Sequence, residues 1–65
     1  MNWDQIKGNW TQMVGTARAR WGELTEDEVQ QAKGDREQLI GLVQERYGVA
    51  REQAEREVAE WQNSL

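Results

Sequence analysis

The sequence predicts an all-α domain of four short helices forming two packed α-hairpins, and three observations carry that prediction. First, Gly8 to Gly22 and Gly34 to Gly48 share one layout 26 residues apart, with glycine in the first, eighth and fifteenth places of each. Gln12 answers Gln38, Met13-Val14 answers Leu39-Ile40, Arg20 answers Arg46 and Trp21 answers Tyr47, so one unit is written twice as an internal pseudo-repeat. Second, the apolar residues recur in steps of three and four, the spacing that builds one face of a helix. Third, no proline occurs and no alternating strand pattern competes with the helical reading.

The elements follow in order. Asn2 with Gln5 has the spacing of a capping box, which starts a first helix at Trp3. Its apolar residues Trp3, Ile6, Trp10, Met13, Ala17 and Trp21 extend it over about 3–20 and define a face that must be buried. Gly22 is expected to end it in the left-handed conformation, with Leu24 anchoring the turn. Thr25 with Glu28 is a second capping box, and Glu26, Asp27 and Glu28 fill the first turn of a short helix, where the helix dipole favours negative charge. That helix closes near Lys33-Gly34.

Asp35 with Gln38 starts a third helix of about three turns, whose apolar side is Leu39, Ile40, Val43 and Tyr47, with Gly48 as its stop. A fourth helix over roughly 50–63 carries the stripe Ala50, Ala54, Val58, Trp61 and Leu65. Its opposite face offers Glu52–Arg56 and Arg56–Glu60 pairs at four-residue spacing. Trp21 and Tyr47 are expected to be equivalent buried anchors. Gly15 and Gly41, equivalent positions inside helices, fall opposite the apolar stripes and are expected to face water.

A chain of 65 residues allows one domain with a small core. With no cysteine and no histidine, neither disulfides nor zinc can hold it together, so packing must. The four tryptophans supply much of the apolar surface available for that. Residues 1–20 lack the cationic start and apolar run of a secretory leader, and Gly41 interrupts the longest apolar stretch, so a cytoplasmic protein without membrane attachment is expected. The net charge of −4 is unevenly spread: residues 1–22 carry three bases against Asp4, and the remainder carries eleven acids against five bases.

The motifs Gly8-Asn9-Trp10, Trp21-Gly22-x-Leu24-Thr25, Gly34, Gln38-Leu39-x-Gly41, Gln44-x-Arg46-Tyr47-Gly48 and Gln53-Ala54-Glu55 together resemble the CsbD-like family of small bacterial proteins. The resemblance covers nearly the whole chain and implies a single CsbD-like domain over residues 1–65. It further implies two orthogonally packed α-hairpins in a SAM-domain-like arrangement, a part in the bacterial general stress response, and no established enzymatic activity. It brings no catalytic residues to carry over.

The residues themselves assign no site. Catalysis needs a positioned nucleophile, base or metal, and the chain offers no His, no Cys and a single serine, Ser64. No catalytic, cofactor-binding or metal-binding residue is therefore expected, and no cofactor. The run Glu26-Asp27-Glu28 lacks the ligand spacing and central glycine of a calcium loop and is accounted for by helix capping. Nucleic-acid binding is the alternative raised by a basic first helix with three tryptophans, but three cations fall short of the roughly 6 to 10 phosphate contacts of strong binding. Core packing accounts for the tryptophans better than base stacking does.

A mean hydropathy of −1.01 with six glycines resembles a hydrophilin composition, which suits a soluble shield between other surfaces. A module docking an unknown protein partner through an exposed strip around Leu42 is the other non-enzymatic reading. The expectation is a monomeric stress-response protein with no evident small-molecule substrate.

Overall fold

Asn2 opens the first helix as expected: its Oδ1 accepts the Gln5 N–H at 2.8 Å while Gln5 Oε1 accepts the Asn2 N–H at 3.0 Å. In the computed structural model, which describes residues 1–65, this helix is α1 (Trp3–Gly8), and it does not run on to residue 20. The chain breaks at Asn9 (φ −114°, ψ 27°) and resumes as α2 (Trp10–Arg20), so the predicted four helices are five. The cause is local. Gly8 weakens the helix, and the Asn9 amide donates to the Gln5 carbonyl at 3.0 Å, closing α1 and leaving no side-chain cap for α2.

Trp21, not Gly22, terminates α2. Its N–H donates to the Ala17 carbonyl at 2.8 Å, its backbone leaves the helical region (φ −124°, ψ 83°), and the Leu24 N–H closes the turn on the Trp21 carbonyl. Gly22 has no positive φ, which corrects the expected left-handed stop.

The Thr25–Glu28 box starts α3 (Glu26–Ala32) reciprocally, with Thr25 Oγ1 accepting the Glu28 N–H and Glu28 Oε1 accepting the Thr25 N–H. Lys33 (φ 54°) and Gly34 (φ 75°) take the left-handed turn that follows. Asp35 Oδ1 accepts the N–H groups of Glu37 and Gln38 to start α4 (Arg36–Tyr47), and Gly48 (φ 64°) ends it. α5 (Arg51–Asn63) completes the chain.

α2 packs on α3, and α4 on α5 and α3, around a core of fourteen buried hydrophobic residues that includes no charged or polar side chain. The radius of gyration, 10.5 Å, matches the roughly 10.7 Å of a well-packed chain of this length. At the centre lies Trp61, with Trp21, Trp3 and Trp10 at centroid distances of 5.7, 6.0 and 6.3 Å. Three of the four indoles tie remote segments together. Trp10 Nε1 donates to the Val29 carbonyl at 2.8 Å, Trp21 Nε1 to Glu57 at 3.0 Å and Trp3 Nε1 to Gln62 at 3.1 Å.

The pseudo-repeat survives only in part. Val14 and Ile40 are both buried, and a methyl placed on Gly15 or on Gly41 would meet nothing within 4 Å, as the helical phase predicts. Trp21 and Tyr47, however, are not equivalent anchors: Trp21 is 1% exposed and Tyr47 38%. Trp21 has left the helix and its non-helical backbone turns the ring inward, whereas Tyr47 is still the last residue of α4. From there the Tyr47 hydroxyl accepts the Glu23 N–H at 3.0 Å, acting as a strut to the α2–α3 turn. Gly8 and Gly34 differ as well, since a Cβ on Gly8 would be free and one on Gly34 would stand 2.7 Å from Lys7 Cα.

Candidate functional site

One surface depression is large enough to consider, an open groove of about 410 Å³ between α3 and α4. Ala32 and the half-buried Leu42 give it apolar lining; Gln31, Gln38, Glu28 and Glu45 give it polar lining. Leu42, singled out in the sequence as a docking strip, does reach this groove, and Gly41 leaves it uncrowded.

Its electrostatics are settled by Arg46, which donates through Nε to Glu28 Oε2 at 2.7 Å and through Nη2 to the same oxygen. This hydrogen bond, joined by the Thr25 backbone N–H, holds the Glu28 carboxyl below its ordinary range, and Glu28 in turn raises the pKa of Arg46. A carboxylate so held is fully ionised at neutral pH and committed to two partners. It is poorly suited to proton transfer, which favours a pKa near the working pH. The acidic run Glu26-Asp27-Glu28 is likewise spent on the α3 terminus and Arg46, and no three carboxylates of the chain converge on one point.

A second charged cluster joins the end of α2 to α5. Glu57 Oε1 accepts the Trp21 indole N–H, Glu57 Oε2 accepts the Gln53 amide at 3.1 Å, and Arg20 lies 3.6 Å away while its guanidinium stands 5.5 Å from the Trp21 ring centroid. The Trp21 hydrogen bond chiefly, then Gln53, Arg20 and Arg56, hold the Glu57 carboxyl below its ordinary range against the opposing effect of burial.

The pairs predicted on the outer face of α5, Glu52–Arg56 and Arg56–Glu60, are not ion pairs in the structure. Arg51 instead reaches Glu55 at 3.6 Å and Glu37 on the neighbouring α4. The pairings of Glu57 with Trp21, Arg46 with Glu28 and Gln62 with Trp3 carried no signal in the sequence, since they span 36, 18 and 59 residues, beyond any helical spacing. Four of the eight cations, Arg20, Arg36, Arg46 and Arg51, are paired with carboxylates, and all four tryptophans belong to the central cluster. No helix is long and apolar enough to cross a membrane.

Comparison with known proteins places this architecture. The chain is 54% identical over 61 residues to a UPF0337 protein of Bordetella pertussis, covering 94% of this chain and 92% of that one. It is 49% identical to a UPF0337 protein of Pseudomonas aeruginosa over 65 residues, the whole of both chains. To the UPF0337 protein YjbJ of Escherichia coli it is 47% identical over 62 residues, or 95% and 90% of the two. A family model described as CsbD-like matches residues 4–56, most of the sequence: the chain belongs to the CsbD-like family.

Proposed function

We propose that the protein serves the bacterial general stress response without catalysing a reaction, as a hydrophilin-like shield that works by keeping other surfaces apart in the cytoplasm. The observation that carries this reading is the division of the chain between an entirely apolar core and a polar exterior. Every fully buried side chain is hydrophobic, and among large hydrophobic residues only Met1 and Tyr47 are exposed. With a net charge of −4 and a mean hydropathy of −1.01, such a monomer resists self-association when crowded and presents little that other proteins stick to. The pairing of α2 with α3 and of α4 with α5 supports reading the fold as two hairpins of the SAM-type kind.

A protein-interaction module is the second reading, and the α3–α4 groove with Leu42 is the observation that favours it. Nucleic-acid binding finds no support, because the tryptophans that suggested it pack on each other and half of the cations are neutralised by neighbours.

Drying and rehydrating a labile enzyme in the presence of the protein tests the proposal, with an unrelated acidic domain of equal size as control. Retained client activity that rises with protein concentration and is unchanged by Leu42→Ala supports the shield. Protection no better than the control overturns it, and protection abolished by Leu42→Ala transfers the function to the groove.

A further inference from the structure

We infer that α1 is a hinged strap, able to swing away about Asn9 as one unit while the other four helices stay packed, and so to uncover Trp61. The break at Asn9 supplies the hinge. Asn9 is a helix cap on both sides, sits at φ −114° and ψ 27°, and gives its side chain to α1 alone, so no side-chain cap ties α2 to α1 across the joint.

The attachments of α1 to the rest of the molecule are few and separable. Ile6 is its one fully buried side chain. The Lys7 backbone rests on Gly34, where the missing Cβ makes a smooth seat rather than an interlocking contact. The remaining holds are the half-buried Trp3 ring, which lies on Trp61 at a centroid distance of 6.0 Å, and a clasp made by one residue of α5: Gln62 Oε1 accepts the Trp3 indole N–H at 3.1 Å, and Gln62 Nε2 donates to the Met1 carbonyl at 2.9 Å. No ion pair secures α1, since neither Asp4 nor Lys7 takes part in one.

What lies beneath favours opening. Trp61 Nε1 is buried with no hydrogen-bond partner, unlike the other three indoles. A buried N–H without a protein acceptor disfavours the closed form, because opening lets it reach an acceptor. Of the three rings around Trp61, Trp10 and Trp21 are buried and Trp3 is half-exposed, so lifting α1 is the shortest way to bring water in. The open strap gives an otherwise non-adhesive molecule an apolar face that is hidden at rest.

Native-state hydrogen exchange on the full chain, followed by NMR, tests this. The hydrogen-bonded amides of Gln5, Ile6 and Asn9 should exchange at one common rate, about tenfold or more faster than those of Val43 and Val58. The Trp61 indole N–H should exchange at the rate of α1, and the Trp10 indole N–H, bonded to Val29, at the rate of the core. Gln62→Ala, which removes both bonds of the clasp, should accelerate exchange in α1 and at the Trp61 indole by about tenfold or more, and leave Val43 and Val58 unchanged. Trp3→Phe, which keeps a ring and removes the donor, should do the same and serves where Gln62→Ala perturbs the whole domain. α1 amides exchanging with the core, or Gln62→Ala and Trp3→Phe accelerating all helices alike, would overturn the inference. So would a smooth gradient of rates from Gln5 to Asn9 with the Trp61 indole at the core rate, which is simple end fraying.

Discussion

Alanine at each of three glycines separates two physical roles that the repeat makes look alike. Gly34 occupies φ 75°, where a Cβ costs about 1 to 2 kcal/mol in backbone strain. The added methyl would also stand 2.7 Å from Lys7 Cα, where ordinary contact begins at 3.4 Å, and because the obstacle is backbone, α1 must move. Overpacking of that kind costs about 1 to 3 kcal/mol, offset by about 0.4 to 1 kcal/mol from restricting the unfolded chain. The net expected for Gly34→Ala is a loss of about 1 to 4 kcal/mol, against a total stability of about 3 to 10 kcal/mol for a domain of this size. Gly15 and Gly41 lie inside helices where an added methyl would have nothing within 4 Å, so alanine there should gain about 0.5 to 1 kcal/mol each through helix propensity. Urea unfolding followed by far-ultraviolet circular dichroism reads both effects. With a slope near 1 kcal/mol per molar, the midpoint should fall by about 1 to 4 M for Gly34→Ala and rise by about 0.5 to 1 M for each of the others. The two gains should add, because the sites are not in contact. A Gly34→Ala midpoint at or above wild type refutes the close approach of α1 to the α3–α4 turn, and a fall for Gly15→Ala or Gly41→Ala refutes their solvent-facing placement.

Trp21→Ala should cost about 3 to 5 kcal/mol and abolish cooperative melting at ambient temperature in a domain this small, whereas Tyr47→Phe, which loses only the hydroxyl that accepts the Glu23 N–H, should cost about 0.5 to 1.5 kcal/mol; equal losses in thermal melts would restore the symmetric anchors. The folded-state pKa of Glu57 is depressed, so its carboxylate stabilises the fold above the ordinary value of 4.5 and that contribution is lost as pH falls through the depressed one; Glu57→Gln should therefore be less stable than wild type at pH 7 and converge with it in acid, and a difference that persists unchanged to low pH would remove the charge from the explanation. Fluorescence anisotropy with labelled duplex and single-stranded DNA at about 0.15 M salt should show no sub-micromolar binding, and tight binding lost on Arg18→Ala would revive the nucleic-acid alternative.

The caps and the helical phase were legible in the sequence because each is decided within one turn of chain. Asn2–Gln5, Thr25–Glu28 and Asp35 formed their bonds three residues away or less, and the burial of Ile6, Trp10, Ala17, Leu39, Ile40, Val43, Ala54, Val58 and Trp61 followed from steps of three and four. Even the break at Asn9 had a local cause, but the apolar stripe runs unbroken across it, since periodicity reports which face is buried and not whether the axis is straight. Tertiary packing alone decided that Trp21 leaves its helix while Tyr47 remains on one, that Gly34 is a seat and Gly8 is free, and that Arg46, Glu57 and Gln62 find partners far along the chain. Two copies of a sequence unit differ once folded because their aromatic residues meet different neighbours: Trp21 lies against Trp61 of α5, Tyr47 against the α2–α3 turn, and identical spacing then buries one ring and leaves the other at the surface.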